Sequence, residues 1–280
     1  MSDDPRNSSS AANDSVYVLG RTTEEHERLR RQAEILEPVT RRILGTVGVA
    51  KGMHCLDVGC GPGEVMRIFA EMSGPSGRVV GVDLDAKLGA ESLAILHSKG
   101  HRQCEFYSGD MYSQPQLREE SFDIVFSRLV LEHLDDPIMG IRQMYRWVKP
   151  GGALVLQDFY FPSLDAYPES VALGELLVAF PAVFLKMNRE LRMGLKMPTY
   201  MIRAGAGAPD GTDVSGFLKP MSESAGMMSA VYKSVLPLAL EYDVTDEARS
   251  REFFEQIANP DEDRYMLWPL LVSVWKRKRT

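Results

Sequence analysis

Long apolar runs are missing from this chain of 280 residues. A helix that crosses a hydrocarbon layer of about 30 Å needs roughly twenty apolar residues. The most apolar stretch, Val171 to Leu185, is shorter and is interrupted by Glu175 and Pro181, so no membrane association is expected. The first residues, Met1 to Ser15, are rich in Ser, Asp and Asn; they lack the hydrophobic region of a secretory signal and read as a disordered tail. Cysteine is also scarce, with three in all, Cys55, Cys60 and Cys104. They have neither the even count nor the paired spacing of a disulfide or zinc framework, which points to free thiols and a reducing, cytoplasmic compartment. His97 and His101 are separated by Gly100 and have no Glu-x-x-His context, so no metal is expected. A Gly-x-Ser-x-Gly nucleophile elbow is absent, leaving hydrolase chemistry without support. Basic residues do not exceed acidic ones: 32 Lys and Arg stand against 39 Asp and Glu, a net charge of −7. Such a balance gives no long-range attraction to nucleic acid or anionic lipid, and a small-molecule partner fits better. The basic end, Lys276-Arg277-Lys278-Arg279, reads as a solvated terminus.

What is present is an alternation of strand and helix patterns. Thr22-Thr23-Glu24-Glu25 has the form of a capping box, and Leu29, Ala33, Leu36 and Ile43 recur behind it at helical spacing, with a bend expected at Pro38. Strand patterns then cover His54 to Val58, Arg78 to Asp83, Cys104 to Ser108, Phe122 to Ser127 and Ala153 to Gln157, with helical patterns between most of them. This rhythm predicts a doubly wound α/β fold, a mostly parallel sheet covered on both faces. Beyond Asp158 the rhythm is lost. Pro162 to Lys196 reads as mainly helical, Asp213 to Leu218 as a further strand, Ser222 to Leu240 and Thr245 to Ile257 as helices, and Tyr265 to Trp275 as the last strand. The expected organisation is a tail over 1–15, a helical segment over 16–48, a core over 49–160, a mainly helical cover over 161–264 with a strand at 213–218, and a final strand with basic tail over 265–280.

The strongest chemical signal is Leu56-Asp57-Val58-Gly59-Cys60-Gly61-Pro62-Gly63, where a strand runs through three alternate glycines into a helix. Glycine lets backbone turn tightly and approach a ligand, and the helix start offers unpaired N–H groups. The spacing differs from the Gly-x-Gly-x-x-Gly of dinucleotide folds, and Pro62 disfavours a docked pyrophosphate, which counts against NAD. Asp83 ends the next strand, where a carboxylate can accept both hydroxyls of a ribose, and Gly109-Asp110-Met111 ends the third. Three strand ends thus converge where open α/β sheets bind ligands.

Together with Phe122-Asp123-Ile124-Val125 and Val148-Lys149-Pro150-Gly151-Gly152, these motifs resemble, in order, those of class I methyltransferases dependent on S-adenosylmethionine. The resemblance covers about Met53 to Asp158. It implies a Rossmann-like, seven-stranded, mostly parallel sheet with a helical cover, the last strand antiparallel. Tyr265 to Trp275 is the candidate for that strand, with Pro269 inside it. It also implies that Gly59, Gly61 and Gly63 bend around the carboxypropyl and ribose part of S-adenosyl-L-methionine, with Gly109 in the third strand end. Asp57 would orient the loop or the ammonium group, Asp83 would hold the ribose and Asp110 the adenine amino group. Leu84 and Met111 would pack on the ring, and Ser127 and Arg128 would lie beside the methionine moiety. Tyr17, in the segment before the first helix, and Gln32, on that helix, resemble positions that close over the cofactor in some methyltransferases of small natural products; a solvated surface helix accounts for them equally well.

For the acceptor the residues leave more open. His133, in Leu131-Glu132-His133-Leu134, is the candidate general base, because histidine titrates near neutrality; a merely structural place in that motif is the alternative. Asp158, Phe159 and Tyr160 follow the fifth strand and are candidate acceptor contacts. Phe180 and Phe184, within a Met-rich apolar segment, either line a hydrophobic acceptor pocket or are ordinary core. The expected reaction is methyl transfer to an O, N or C atom of a small, hydrophobic molecule. A cyclase or rearrangement catalyst that uses the sulfonium charge, and a non-catalytic partner subunit with the same fold, are the rival readings. The first helix could also pack against a second copy of the chain.

Overall fold

The computed structural model describes residues 23–114 and 116–280. The expected tail over 1–15, the first residues of the helical segment, the capping Thr22 and Tyr17 lie outside the described residues. From Thr23 the chain forms α1 (Thr23–Val47), with Pro38 inside it. Then β1 (His54–Val58), α2 (Glu64–Ser73), β2 (Arg78–Asp83), α3 (Ala86–Ser98) and β3 (Cys104–Ser108) alternate. They continue into β4 (Phe122–Arg128), a single 3-10 turn at Leu131–His133, α4 (Pro137–Trp147) and β5 (Val148–Tyr160). Local chemistry explains the helix starts. Asp85 and Asp136 each cap a helix by accepting a backbone N–H, from Leu88 and Met139, and Pro137 occupies the first turn of α4.

β1 pairs in parallel with β2 on one side and β4 on the other, β2 with β3, and β4 with β5. The strand order therefore reverses between β1 and β4, and the crevice beyond their carboxyl ends is the switch point of the fold. Alternate residues serve two cores, as the pleat requires. Cys55, Val79 and Phe126 pack with Leu36, Ile43 and Leu44 of α1 and Phe69 of α2, while Leu56, Val80 and Val125 pack with Ile141, Met144 and Trp147 of α4.

The second half departs from the expected reading. After β5 come a short strand β6 (Asp165–Tyr167), α5 (Val171–Lys186) and α6 (Met193–Arg203), so Pro162 to Lys196 is mainly helical, as expected, with a short strand ahead of α5. The strand expected at 213–218 is two strands. β7 (Gly211–Ser215) is the edge of the main sheet, and β8 (Leu218–Pro220) belongs to a second sheet. α7 (Met221–Glu241) and α8 (Glu247–Ala258) follow. The strand expected at 265–275 is likewise split, with Pro269 between the parts: β9 (Tyr265–Leu267) joins the small sheet, ordered β6-β9-β8, and β10 (Leu270–Arg277) joins the large one. Proline has no N–H for a ladder, and here it marks the point where the chain changes sheets. β10 runs antiparallel to both β5 and β7. The large sheet is seven-stranded, ordered β3-β2-β1-β4-β5-β10-β7, as the fold reading requires. α6 lies against the main sheet with Met193, Met197 and Met201 in its core, whereas α5, α7 and α8 form a third core above the strand ends. Among the described residues no helix is long and apolar enough to cross a membrane.

Candidate active site

Beyond the ends of β1, β2 and β4 the structure holds one cavity of about 580 Å³, floored by strand ends and roofed by α1, α5 and α7. Its first wall is backbone. Gly59, Gly61 and Gly63 all have positive φ, +72°, +47° and +77°, but the space around them differs. A Cβ on Gly59 would lie 2.2 Å from Val130, and one on Gly63 would press on Ser92 at 3.1 Å, whereas one on Gly61 would meet nothing within 4 Å. Two glycines thus permit close packing, and the middle one presents bare backbone to the cavity.

Asp83 braces this turn. One carboxylate oxygen accepts the N–H of Gly61 at 2.8 Å and the other that of Asp85 at 2.9 Å. Gly109 has φ +132° and donates its N–H to the Asp83 carbonyl at 2.9 Å. Asp110 follows it and accepts the N–H of Tyr112 at 2.9 Å; the exposed Leu84 and the buried Met111 reach the same wall. Asp57 lies beneath the glycines, fully buried, and its Oδ2 has no hydrogen-bond partner among the described residues. Burial lifts its carboxyl to about 7, against the pull of Arg128 and with a further push from Asp83. Arg128 is itself lowered to about 10 by burial, so it stays charged at neutral pH. It donates to Thr40 on α1 at 2.8 Å. Gln32 lines the cavity from the same helix.

The wall opposite the glycines is aromatic. Phe161, Phe180 and Phe184 stack in series with ring centroids 4.8 Å and 4.3 Å apart, and Phe159, Met228 and Trp268 complete the chamber. The two halves meet at the turn after β4, which carries Glu132 and His133. The His133 Nε2 is 3.6 Å from the Glu132 carboxylate, and its ring centroid is 6.0 Å from that of Phe184.

Most of the residues singled out in the sequence come together here, and four of the described ones do not: Gly63 packs on Ser92 and Leu96 behind the wall, and Ser127, Asp158 and Tyr160 are also off it. Ser127 is buried behind the wall, its hydroxyl donated to the Val58 carbonyl at 3.0 Å. Asp158 is buried among the strands and accepts the N–H of Phe159 at 2.9 Å, and Tyr160 also lies off the cavity wall. Along β5 successive side chains alternate sides, so of Asp158, Phe159 and Tyr160 only Phe159 faces the cavity. Conversely, the wall includes residues the sequence reading passed over: Glu25 and Arg28 of α1, joined by two hydrogen bonds of 2.7 Å, Glu132, and the Met266–Pro269 connection. Glu132 stood in plain view beside His133; the connection was hidden within an apparently continuous strand.

A family model described as a methyltransferase domain matches residues 56–156. A demethylmenaquinone methyltransferase of Staphylococcus aureus is 29% identical over 155 residues, which are 54% of this chain and 62% of that one. Its counterpart in Lactococcus lactis is 25% identical over 187 residues, 67% of this chain and 70% of that one. The fold resembles the crystal structure of a candidate methyltransferase from Bacillus halodurans, with a TM-score of 0.58, 21% identity and coverage of 86% of this chain and 99% of that one. The residues present suit the cofactor of such enzymes: a buried carboxylate oxygen at Asp57, without a partner among the described residues, matches a ligand that carries an ammonium group, and bare backbone at Gly61 leaves room for it. A matched methyltransferase domain over residues 56–156, a strand order and a cradle agree with one another, and together they resemble those of the class I methyltransferases that use S-adenosylmethionine.

Proposed function

We propose that the chain transfers a methyl group to an O, N or C atom of a small, largely apolar molecule, and that aromatic hydroxyl compounds of the quinol type are the acceptors to try first. One observation carries this reading: the glycine cradle and the aromatic chamber are two ends of a single cavity. The names of the two demethylmenaquinone methyltransferase relatives support the choice of acceptor.

In this reading Asp83 holds the ribose hydroxyls and Asp110 the adenine amino group, while Leu84 and Met111 flank the ring. Asp57 and Gly61 receive the amino-acid end, with Arg128 of β4 beside it and Gln32 closing over it from α1. When bound, S-adenosylmethionine supplies a methyl group already activated by its positive sulfur. The protein's share is then to fix donor and acceptor at reacting distance and to keep water out, a contribution that can reach several kcal/mol, on the order of 7–11 for well-oriented reactants. The stacked Phe161, Phe180 and Phe184 form an apolar aromatic wall that suits a planar acceptor. Three buried free thiols fit a reducing, cytoplasmic setting, and the acidic net charge favours a small partner over nucleic acid.

The test is calorimetric titration of S-adenosylmethionine and S-adenosylhomocysteine into the protein and Asp83→Ala, with NAD as control, followed by mass analysis of quinols and phenols incubated with protein and cofactor. Saturable binding that the substitution weakens, and a product heavier by one methylene, support the reading. NAD binding in place of S-adenosylmethionine, or a product of unchanged mass, overturns it.

A further inference from the structure

The turn after β4 is pressed against the glycine cradle, because Val130 fills the space that a side chain at Gly59 would need. Two residues on, Glu132 faces the cavity, and His133 beside it leads to the stacked Phe184 and Phe180. We propose that Glu132, rather than His133, takes the proton of the acceptor, since its carboxylate stands on the wall where the cofactor cradle meets the aromatic chamber. This rests on the acceptor class proposed above, a molecule with an acidic hydroxyl.

The charged and titratable groups around Glu132 come from four elements. Arg28, with its partner Glu25, faces it from α1, Asp158 from β5, His133 from its own turn, and Arg189 approaches His133 from the segment after α5. Burial raises Glu132 to about 7 while Arg28 draws it down, so the carboxylate is available at neutral pH and still basic enough to accept a proton. Asp158 is pushed well above its ordinary value, first by its burial and then by Glu132, so the ionisation of one of these two carboxyls opposes that of the other. His133 is lowered to about 3, by burial first and then by Arg189 and Arg28; it is neutral over the working range and a weak base.

The step balances without a further reactant. The acceptor O–H bond breaks and its proton goes to the Glu132 carboxylate. The electron pair left on oxygen forms the new bond to the methyl carbon, and the pair of the broken carbon–sulfur bond stays on sulfur. Glu132 then releases its proton to water.

The first readout needs no turnover. In protein labelled at the glutamate side-chain carboxyl carbon and saturated with S-adenosylhomocysteine, one glutamate should titrate near neutrality by NMR and be absent from Glu132→Gln. A spectrum in which no glutamate titrates above the ordinary range overturns the proposal. The second readout is the pH profile with a naphthohydroquinone at saturating S-adenosylmethionine, which removes the pH dependence of cofactor binding. Wild-type kcat/KM should rise with pH and level off above about 7, and Glu132→Gln should lose this inflection together with about 100-fold in kcat, at unchanged affinity for S-adenosylhomocysteine. Glu132→Asp should recover part of the rate with the inflection, and His133→Gln should keep the inflection. An inflection that survives in Glu132→Gln and vanishes in His133→Gln overturns the proposal. Absence of methyl transfer by the wild-type protein, with the glutamate titrating as expected, overturns the acceptor class and not the ionisation of Glu132.

Discussion

The two ends of the cavity are made by different means. At the cradle end the surface is mainly backbone, shaped by Gly59, Gly61, Gly63 and Gly109 and braced by the Asp83 carboxylate. At the other end it is side chain, a stack of three phenylalanines with Met228 and Trp268 around it. Backbone surface depends on φ values that few residues adopt, so a single methyl group can abolish it. A wall of apolar side chains is limited chiefly by volume, and many sequences fill or vacate it. The cofactor end is therefore rigid in sequence, and the acceptor end is free to differ between proteins of one fold.

The largest effect expected from this contrast is at the glycines. Gly59→Ala combines a left-handed backbone with a contact at 2.2 Å; overpacking and strain together cost roughly 2–5 kcal/mol. Much of the protein should be unfolded or unable to bind S-adenosylmethionine. Gly61→Ala has the same strain without the clash, about 1–2 kcal/mol, and its methyl points into the cavity. Its melting temperature should stay near that of wild type while calorimetric affinity falls by about 100-fold, or roughly 2.7 kcal/mol. Equal losses of stability in the two variants would break the distinction between a packing glycine and a binding glycine.

Next in size is the acceptor end. Phe180 is buried between two rings, and Phe180→Ala should cost about 3–5 kcal/mol by opening a cavity. Affinity for S-adenosylmethionine should change less than threefold, because the cradle owes nothing to this ring, while KM for a planar acceptor rises at least tenfold. A large loss of cofactor affinity in a folded variant would show that the two ends act as one surface.

The same division explains what was legible in the sequence. The cradle and its sheet were, because glycine at three alternate positions and an acid at the end of the next strand reflect local backbone demands; α3 and β3 have the bounds that the periodicity suggests. The acceptor end was not. Its wall is assembled from α5, α7 and the Met266–Pro269 connection, segments far apart in the chain whose apolar residues look like any core. Short strands such as β6, β8 and β9, of three residues each, carry too few alternations to be read. Pro269 was noticed as an irregularity in one strand, and its meaning, a change of sheet, required the second sheet to be known.

A smaller effect should follow from the buried acid in the cradle. Asp57 is raised in the folded protein to about 7, above its unfolded value. The protonated form is favoured by folding, so stability from this group is complete below about pH 4 and lost as pH rises toward 7. Binding of an ammonium group has the opposite preference, for the ionised carboxylate. Affinity for S-adenosylmethionine should therefore rise roughly eightfold between about pH 6 and 7.5 in the wild type. Asp57→Asn should flatten that rise and make the unliganded protein more stable than wild type near pH 8, as denaturant titration would measure. An Asp57→Asn variant that binds with the wild-type pH dependence would remove Asp57 from contact with the amino-acid end.

The smallest effect concerns how α1 is seated over the cradle. Thr40 accepts a hydrogen bond from Arg128 at 2.8 Å and donates to Gln157 at 3.0 Å, and Gln157 donates in turn to Ser273 at 2.9 Å. This buried relay ties the helix to β4, β5 and β10, whereas Arg128 is also held by the charge of Asp57. Thr40→Val keeps the shape and leaves one Arg128 N–H and the Gln157 carbonyl without their partner, at a cost of about 1–2 kcal/mol. The melting temperature should fall by roughly 2–6 °C, with cofactor affinity reduced less than fivefold, because the second hold on Arg128 remains. If affinity fell by more than tenfold at an unchanged melting temperature, the relay would belong to the cofactor end and α1 would be part of the cradle. If stability alone fell, α1 would be a cover resting on the sheet, able to change its other face to suit an acceptor without disturbing the glycines beneath it.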